Sequence, residues 1–157
     1  GRWLFGVQGT YLLKSQAKVS PDTAWMSDLA VYSNTTGVAS PRWRSKWMLG
    51  LENGKHHWQL NINYTGGYND MDIRATNLAN NATETIKGRK VPGFTTIDVL
   101  GLVQLAPATQ LRVGISNLLN DMPPLSFYSA SNTVWGVNSQ NGGLLGRSLQ
   151  LGLTHRF

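Results

Sequence analysis

Six segments of this chain place apolar residues at every second position, the period of a strand whose two faces meet different surroundings. In residues 58–65, Trp58, Leu60, Ile62 and Tyr64 alternate without a miss against Gln59, Asn61, Asn63 and Thr65. Just upstream, Trp43, Trp47, Leu49 and Leu51 alternate with Arg44, Lys46, Met48 and Gly50. Glu52-Asn53-Gly54-Lys55 between them reads as a hairpin turn, and Asn-Gly predicts the positive φ angles of type I′. Residues 3–14 put Trp3, Phe5, Val7, Tyr11 and Leu13 on one parity and Gly6, Gln8, Thr10 and Lys14 on the other, with Leu4 and Leu12 spoiling the polar side. Residues 95–105 carry Ile97, Val99, Val103 and Leu105 opposite Asp98 and Gln104, with Leu100 and Leu102 on the unexpected parity. After a tight connection at residues 106–109, around Pro107, the residues Leu111, Val113 and Ile115 alternate with Arg112, Gly114 and Ser116. The last eleven residues, RSLQLGLTHRF, put Leu149, Leu151, Leu153 and Phe157 on one parity; wound as a helix, those leucines would step by about 200° and smear around the axis.

The connections alternate in length. Residues 15–40, 66–93 and about 120–146 are long and polar, whereas the turns near residues 52–55 and 106–109 are short. Long loops at one end and short turns at the other are the asymmetry of a transmembrane β-barrel, with the short turns on the periplasmic side. On that orientation Trp3 and Trp58 are predicted low, and Tyr11, Trp43 and Tyr68 high, as two aromatic belts on the lipid-facing parity. The fold class is therefore read as all-β, an antiparallel up-and-down transmembrane barrel segment over residues 1–157. Six strands are too few to close such a barrel, which begins at about eight. Either residues 24–32 hide a further hairpin or, the favoured reading, the chain belongs to a larger barrel.

Composition modifies this picture little. Only 14% of the 157 residues are charged, against about a quarter in an ordinary soluble domain; Asn, Gln, Ser, Thr and Gly fill the deficit, as suits a water-filled lumen and long loops. No run approaches the ~20 apolar residues of a membrane helix. No signal peptide opens at Gly1, so a mature or truncated piece is expected. Cysteine is absent, which removes disulfide and thiol chemistry. The net charge of +6 is spread along the chain rather than gathered in one stripe, so anionic lipid or ligand, and no nucleic acid, is the expected partner.

The closing strand, ending on Phe157, resembles the last strand of bacterial outer-membrane barrels, where Leu149, Leu151, Leu153 and Phe157 are similar to the signal read by the barrel-assembly machinery. More specifically, VPGFTTID (residues 91–98) and LRVGISNLLND (residues 111–121), then Pro123-Pro124, Gly146-Arg147 and the terminal Phe157, resemble in order and spacing the C-terminal part of TonB-dependent outer-membrane receptors. Leu119 and Asn120 stand where Phe and Asp are commoner. The resemblance covers residues 41–157 well and residues 1–40 only in style. It implies a barrel of 22 strands, of which about six are here, filled by an N-terminal plug. It also implies uptake of a scarce nutrient (ferric siderophore, haem, cobalamin or oligosaccharide) with energy coupled through the plug from the inner-membrane TonB protein. Neither the plug nor the earlier strands are in this chain. Outer-membrane lipid and lipopolysaccharide complete the implied partners.

Candidate ligand residues fall in two sets. On the lumen-facing parity, Arg44, Lys46, Gln59, Asn61, Asn63, Asp98 and Gln150 could hold a ligand or the plug, or simply hydrate the interior. In the outer loops, Trp25, Tyr32, Phe127, Tyr128 and Trp135 offer rings for stacking, or pack loop against loop. Arg42, Lys87, Arg89 and Lys90 could meet anionic lipid phosphates, or be solvated charge with no partner. His56 and His57 are adjacent and point to opposite faces, which argues against one shared metal ion. No Ser/His/Asp constellation stands out and His155 is far from any other candidate, so neither an enzyme nor a cofactor is expected. The rival readings are a small complete barrel acting as adhesin or structural anchor, and a barrel-embedded lipase or acyltransferase.

Overall fold

A computed structural model describes residues 1–18, 20–33, 38–70, 72–77, 79–126 and 145–157. The chain is all-β. Six long strands form one antiparallel sheet in the order β1 (Arg2–Tyr11), β6 (Trp43–Asn53), β7 (His56–Thr65), β12 (Phe94–Ala106), β13 (Thr109–Ser116) and β14 (Ser148–His155). Each long strand pairs with the next long strand along the chain, an up-and-down meander. The four longest run 10 to 13 residues, enough to cross a bilayer at about 45° tilt, which takes roughly 9–11 residues. Among the described residues the sheet is open, with β1 and β14 as its free edges.

Register carries the two faces across all six strands. Phe5, Leu49, Leu60, Val99, Ile115 and Leu149 form one lateral row, and Trp3, Leu51, Trp58, Gly101, Val113 and Leu151 the next. Among the described residues nothing covers this face: Trp3, Phe5, Leu149, Leu151 and Leu153 are 64–70% exposed. Its footprint is on the order of 600 Å² from strand spacing and rise alone, at the top of what a soluble monomer leaves bare. The chain's accessible surface of 10571 Å² is about a third more than expected for a compact monomer of its mass.

Two leucines of unexpected parity have a packing reason. Leu100 does stand on the polar face, but its lateral neighbour is Gly114, and the leucine methyl fills the space that glycine leaves. Leu4 lies over Gly50 in the same way, across the β1–β6 pair. Nothing in the structure explains Leu102.

The turns at the short end depart in one detail from expectation. Asn53 pairs with His56, so the loop residues are Gly54 and Lys55, and of the turn's residues only Gly54 has positive φ, at 62°. A single positive φ at the first loop position is the type II′ pattern, not I′; the Asn-Gly pair sits one residue earlier than a type I′ turn needs. The other turn, Pro107-Ala108, follows a bulge at Leu105, and the Gln104 amide donates to the carbonyls of Ala106 (2.6 Å) and Thr109 (3.2 Å).

The long connections hold short ladders. In the first, β2 (Gln16–Ala17) pairs with β3 (Met26–Ser27) and β4 (Tyr32–Ser33) with β5 (Val38–Ala39), all outside the six-stranded sheet. In the second, β8 (Tyr68–Asn69) pairs with β11 (Lys90–Val91) and β9 (Ile73–Thr76) with β10 (Thr83–Ile86), prolonging the β7–β12 hairpin as an arm. Tyr32, Ala39, Tyr68 and Val91 form a buried cluster where the two connections meet. Tyr68 is only 3% exposed, so it does not join an outer aromatic belt: the arm folds it inward against Val91.

Candidate functional site

The polar face holds the candidate site, and register assembles it. Lys46 on β6 faces Gln8 on β1 and Asn63 on β7, while Arg44, two residues along, faces Thr10 and Thr65. These side chains border a recess of ≈ 280 Å³. A second of ≈ 250 Å³, reaching Gln59 and Asn61, shares Gln8 and Lys46 with it. Among the described residues neither Arg44 nor Lys46 has a carboxylate or hydrogen-bonding partner. Two uncompensated cations, ringed by neutral amides and hydroxyls, form an electropositive hollow suited to an anion.

Of the seven candidates on the polar face, Arg44, Lys46, Gln59, Asn61 and Asn63 are brought together in these recesses. Asp98 stands beside them but its carboxylate is occupied: the Asn63 amide donates to Oδ2 at 2.8 Å and the Asn117 backbone N–H to Oδ1 at 2.9 Å. Asn63 also donates to Thr96 Oγ1 (3.2 Å), and Gln59 Nε2 to Asn61 Oδ1 (2.8 Å). Gln150 shares the face but sits on β14, three strands from Gln59, about 14 Å at ordinary strand spacing; it lines neither recess.

In the loops, Trp25 is exposed with the Lys18 ammonium 5.3 Å from its ring centroid. Tyr32, expected as a stacking ring, is 3% exposed inside the loop cluster, which leaves packing as its observed role. Phe127, Tyr128 and Trp135 lie outside the described residues. At the closing strand, Leu149, Leu151 and Leu153 face outward, and Phe157 is fully exposed with its ring 4.8 Å from that of His155.

Some other charges are spoken for locally. Lys87 Nζ donates to Asp72 Oδ2 at 2.8 Å and Gly88 N–H to Oδ1 at 2.9 Å; the lysine, then the amide, hold the Asp72 carboxyl below its ordinary pKa, and the same bond raises that of Lys87. Arg89 Nε lies 3.7 Å from the buried Asp70 carboxylate, to which Ser126 also donates, tying the third connection to the second. His57 Nδ1 is 3.6 Å from Glu52, whereas His56 Nδ1 accepts from the Gln104 backbone on the other face. Among the described residues no group of three or more His, Asp or Glu side chains could hold a metal ion.

Sequence reasoning did not single out Gln8, Thr10 or Asn117. The first two were on the polar parity, but their alignment with Lys46 and Arg44 depends on a register set across residues 12–42, which no local signal predicts. Asn117 reads as part of a strand end, yet it has φ 51° and is 2% exposed, exchanging hydrogen bonds with the Asp121 backbone and anchoring on Asp98.

Comparison with known proteins is negative: no family model matches the chain, nor does any curated protein or any solved structure.

Proposed function

We propose that this chain is wall and outer loops of a TonB-dependent outer-membrane receptor, and that its lumen face takes part in admitting a bulky anionic nutrient such as a ferric chelate. The observation that carries this reading is a sheet with one predominantly apolar face and, on its back, an electropositive hollow around Arg44 and Lys46. Lipid outside and water inside account for both faces at once. The bare edges of β1 and β14 support a larger assembly, because unpaired strand edges are not tolerated in hydrocarbon; further strands would pair there. The long connections gathered at one end, and the order of the motifs from Val91 to Phe157, point the same way.

The test is charge reversal in the intact receptor, Arg44→Glu with Lys46→Glu. Uptake of an anionic iron chelate is expected to fall at least tenfold, while the protein reaches the outer-membrane fraction in normal amount. Unchanged uptake rules out the ligand role. Recovery of the wild-type protein in the soluble fraction rules out the membrane reading, and with it a small barrel anchor as well.

A further inference from the structure

At the loop end of the apolar face, four residues are stacked. The six-membered edge of Trp43 covers Gly9, approaching to 3.2 Å of where a Cβ would lie. The Tyr11 and Trp43 rings are 6.0 Å apart at 55°. Arg42 continues the ladder by one pair, its carbonyl accepting from Leu12 N–H at 2.8 Å. Its guanidinium turns over the Tyr11 ring, 5.9 Å from the centroid, and Nη1 donates to the Tyr11 hydroxyl at 3.3 Å. That hydroxyl fixes one arm of the fork and leaves the rest of it outward. Among the described residues Arg42 has no carboxylate partner and the Trp43 indole N–H has no acceptor. Arg42, Tyr11 and Trp43 are all exposed.

We infer that this cluster is a binding site for the phosphate of an anionic membrane lipid. Its outward polar groups are donors, as phosphate oxygens require, and the guanidinium carries a full charge. Directly below it the bare apolar face continues through Val7, Trp47 and Phe5, where acyl chains attached to that phosphate would lie. A soluble anion would use only the donors; a lipid uses donors and face together. The inference rests on the membrane reading above and adds a specific lipid contact to it.

The test is native mass spectrometry of the intact protein released from nanodiscs of equal parts dioleoyl phosphatidylglycerol and dioleoyl phosphatidylcholine. Wild type is expected to retain phosphatidylglycerol, and Arg42→Gln to retain it about five-fold less, the effect of one basic side chain at an anionic surface. Arg42→Lys should keep part of the retention and Lys87→Gln all of it. Equal retention by wild type and Arg42→Gln overturns the site. So does displacement of the lipid by millimolar inorganic phosphate, which would mark a free-anion site. Failure of the wild type to enter nanodiscs removes the membrane reading itself, whereas insertion without an Arg42 effect removes only this inference.

Discussion

Two residues on opposite faces show how much single side chains decide. On the polar face, Asp98 is the anchor of the β13 exit: its carboxylate holds the backbone N–H of Asn117, whose left-handed conformation ends the strand. Asp98→Ala is expected to orphan that N–H and to take one of the Asn63 amide's two acceptors, costing about 1–3 kcal/mol. Denaturant unfolding of the refolded intact protein reads this directly, and a loss below a few tenths would sink the anchor role. On the apolar face, Gly101 lies under the Trp58 indole, whose Cζ3 is 2.5 Å from where a Cβ would sit. A methyl there must push the ring away, so Gly101→Ala should cost about 1–3 kcal/mol by overpacking and shift the tryptophan emission. An unchanged spectrum would mean that the indole does not rest on the glycine. Both roles were only half legible in sequence. Asp98 and Gly101 fall on the right faces by parity, but their partners on β7 and β13 come from register, which is not a property of either strand alone.

At the scale of elements, the arm formed by β9 and β10 depends on charge in a way the sheet does not. Asp72 and Lys87 clamp its base, with the carboxyl lowered and the ammonium raised by their mutual bond. A lowered carboxyl contributes stability that is full above its unfolded pKa and lost as pH falls through the folded value. A raised lysine contributes stability that is full below its unfolded pKa and lost as pH rises through the folded one. The clamp therefore works across the neutral range and opens at both extremes. Because both groups are exposed, salt weakens it. Relative to the intrinsic rate at each pH, hydrogen exchange of the arm's amides should accelerate in acid and in high salt, and Asp72→Asn should abolish that dependence while leaving the six-stranded sheet unaffected. Equal acceleration of amides in β6 and β7 would show instead that acid loosens the whole sheet. The strands themselves were legible as elements, since period-two alternation survives single misfits such as Leu4 and Leu100. The arm was not, because residues 66–93 are mostly polar and its strands, of two to four residues, are too short for an alternation to stand out.

For the molecule as a whole, the decisive comparison is between neighbours that differ only in face. Leu60 points to the apolar face and Asn61 to the polar face, where it is buried. On the proposed membrane reading, Leu60→Lys would place a charge near the middle of the bilayer and is expected to cost about 2–4 kcal/mol, seen as loss of folded, heat-modifiable protein. The exposed polar-face Gln8→Lys, level in register with Asn63, should fold normally and alter only the charge of the hollow. Similar losses in both would mean that the two faces meet the same medium, and the wall reading would fail.

The alternation of side chains by itself determined which residues stand together on a face, how many long strands there are, and which connections are short. Those properties are local: a pleated backbone sends neighbours to opposite sides whatever lies beyond it. Tertiary structure alone decided which strand positions lie level with one another, that Gln8 and Thr10 join Arg44 and Lys46 in one hollow, and that Tyr32 and Tyr68 turn inward. Each of these depends on contacts across twenty or more residues of chain, where the balance of pairing, packing and loop closure, rather than any one residue's preference, selects the partner.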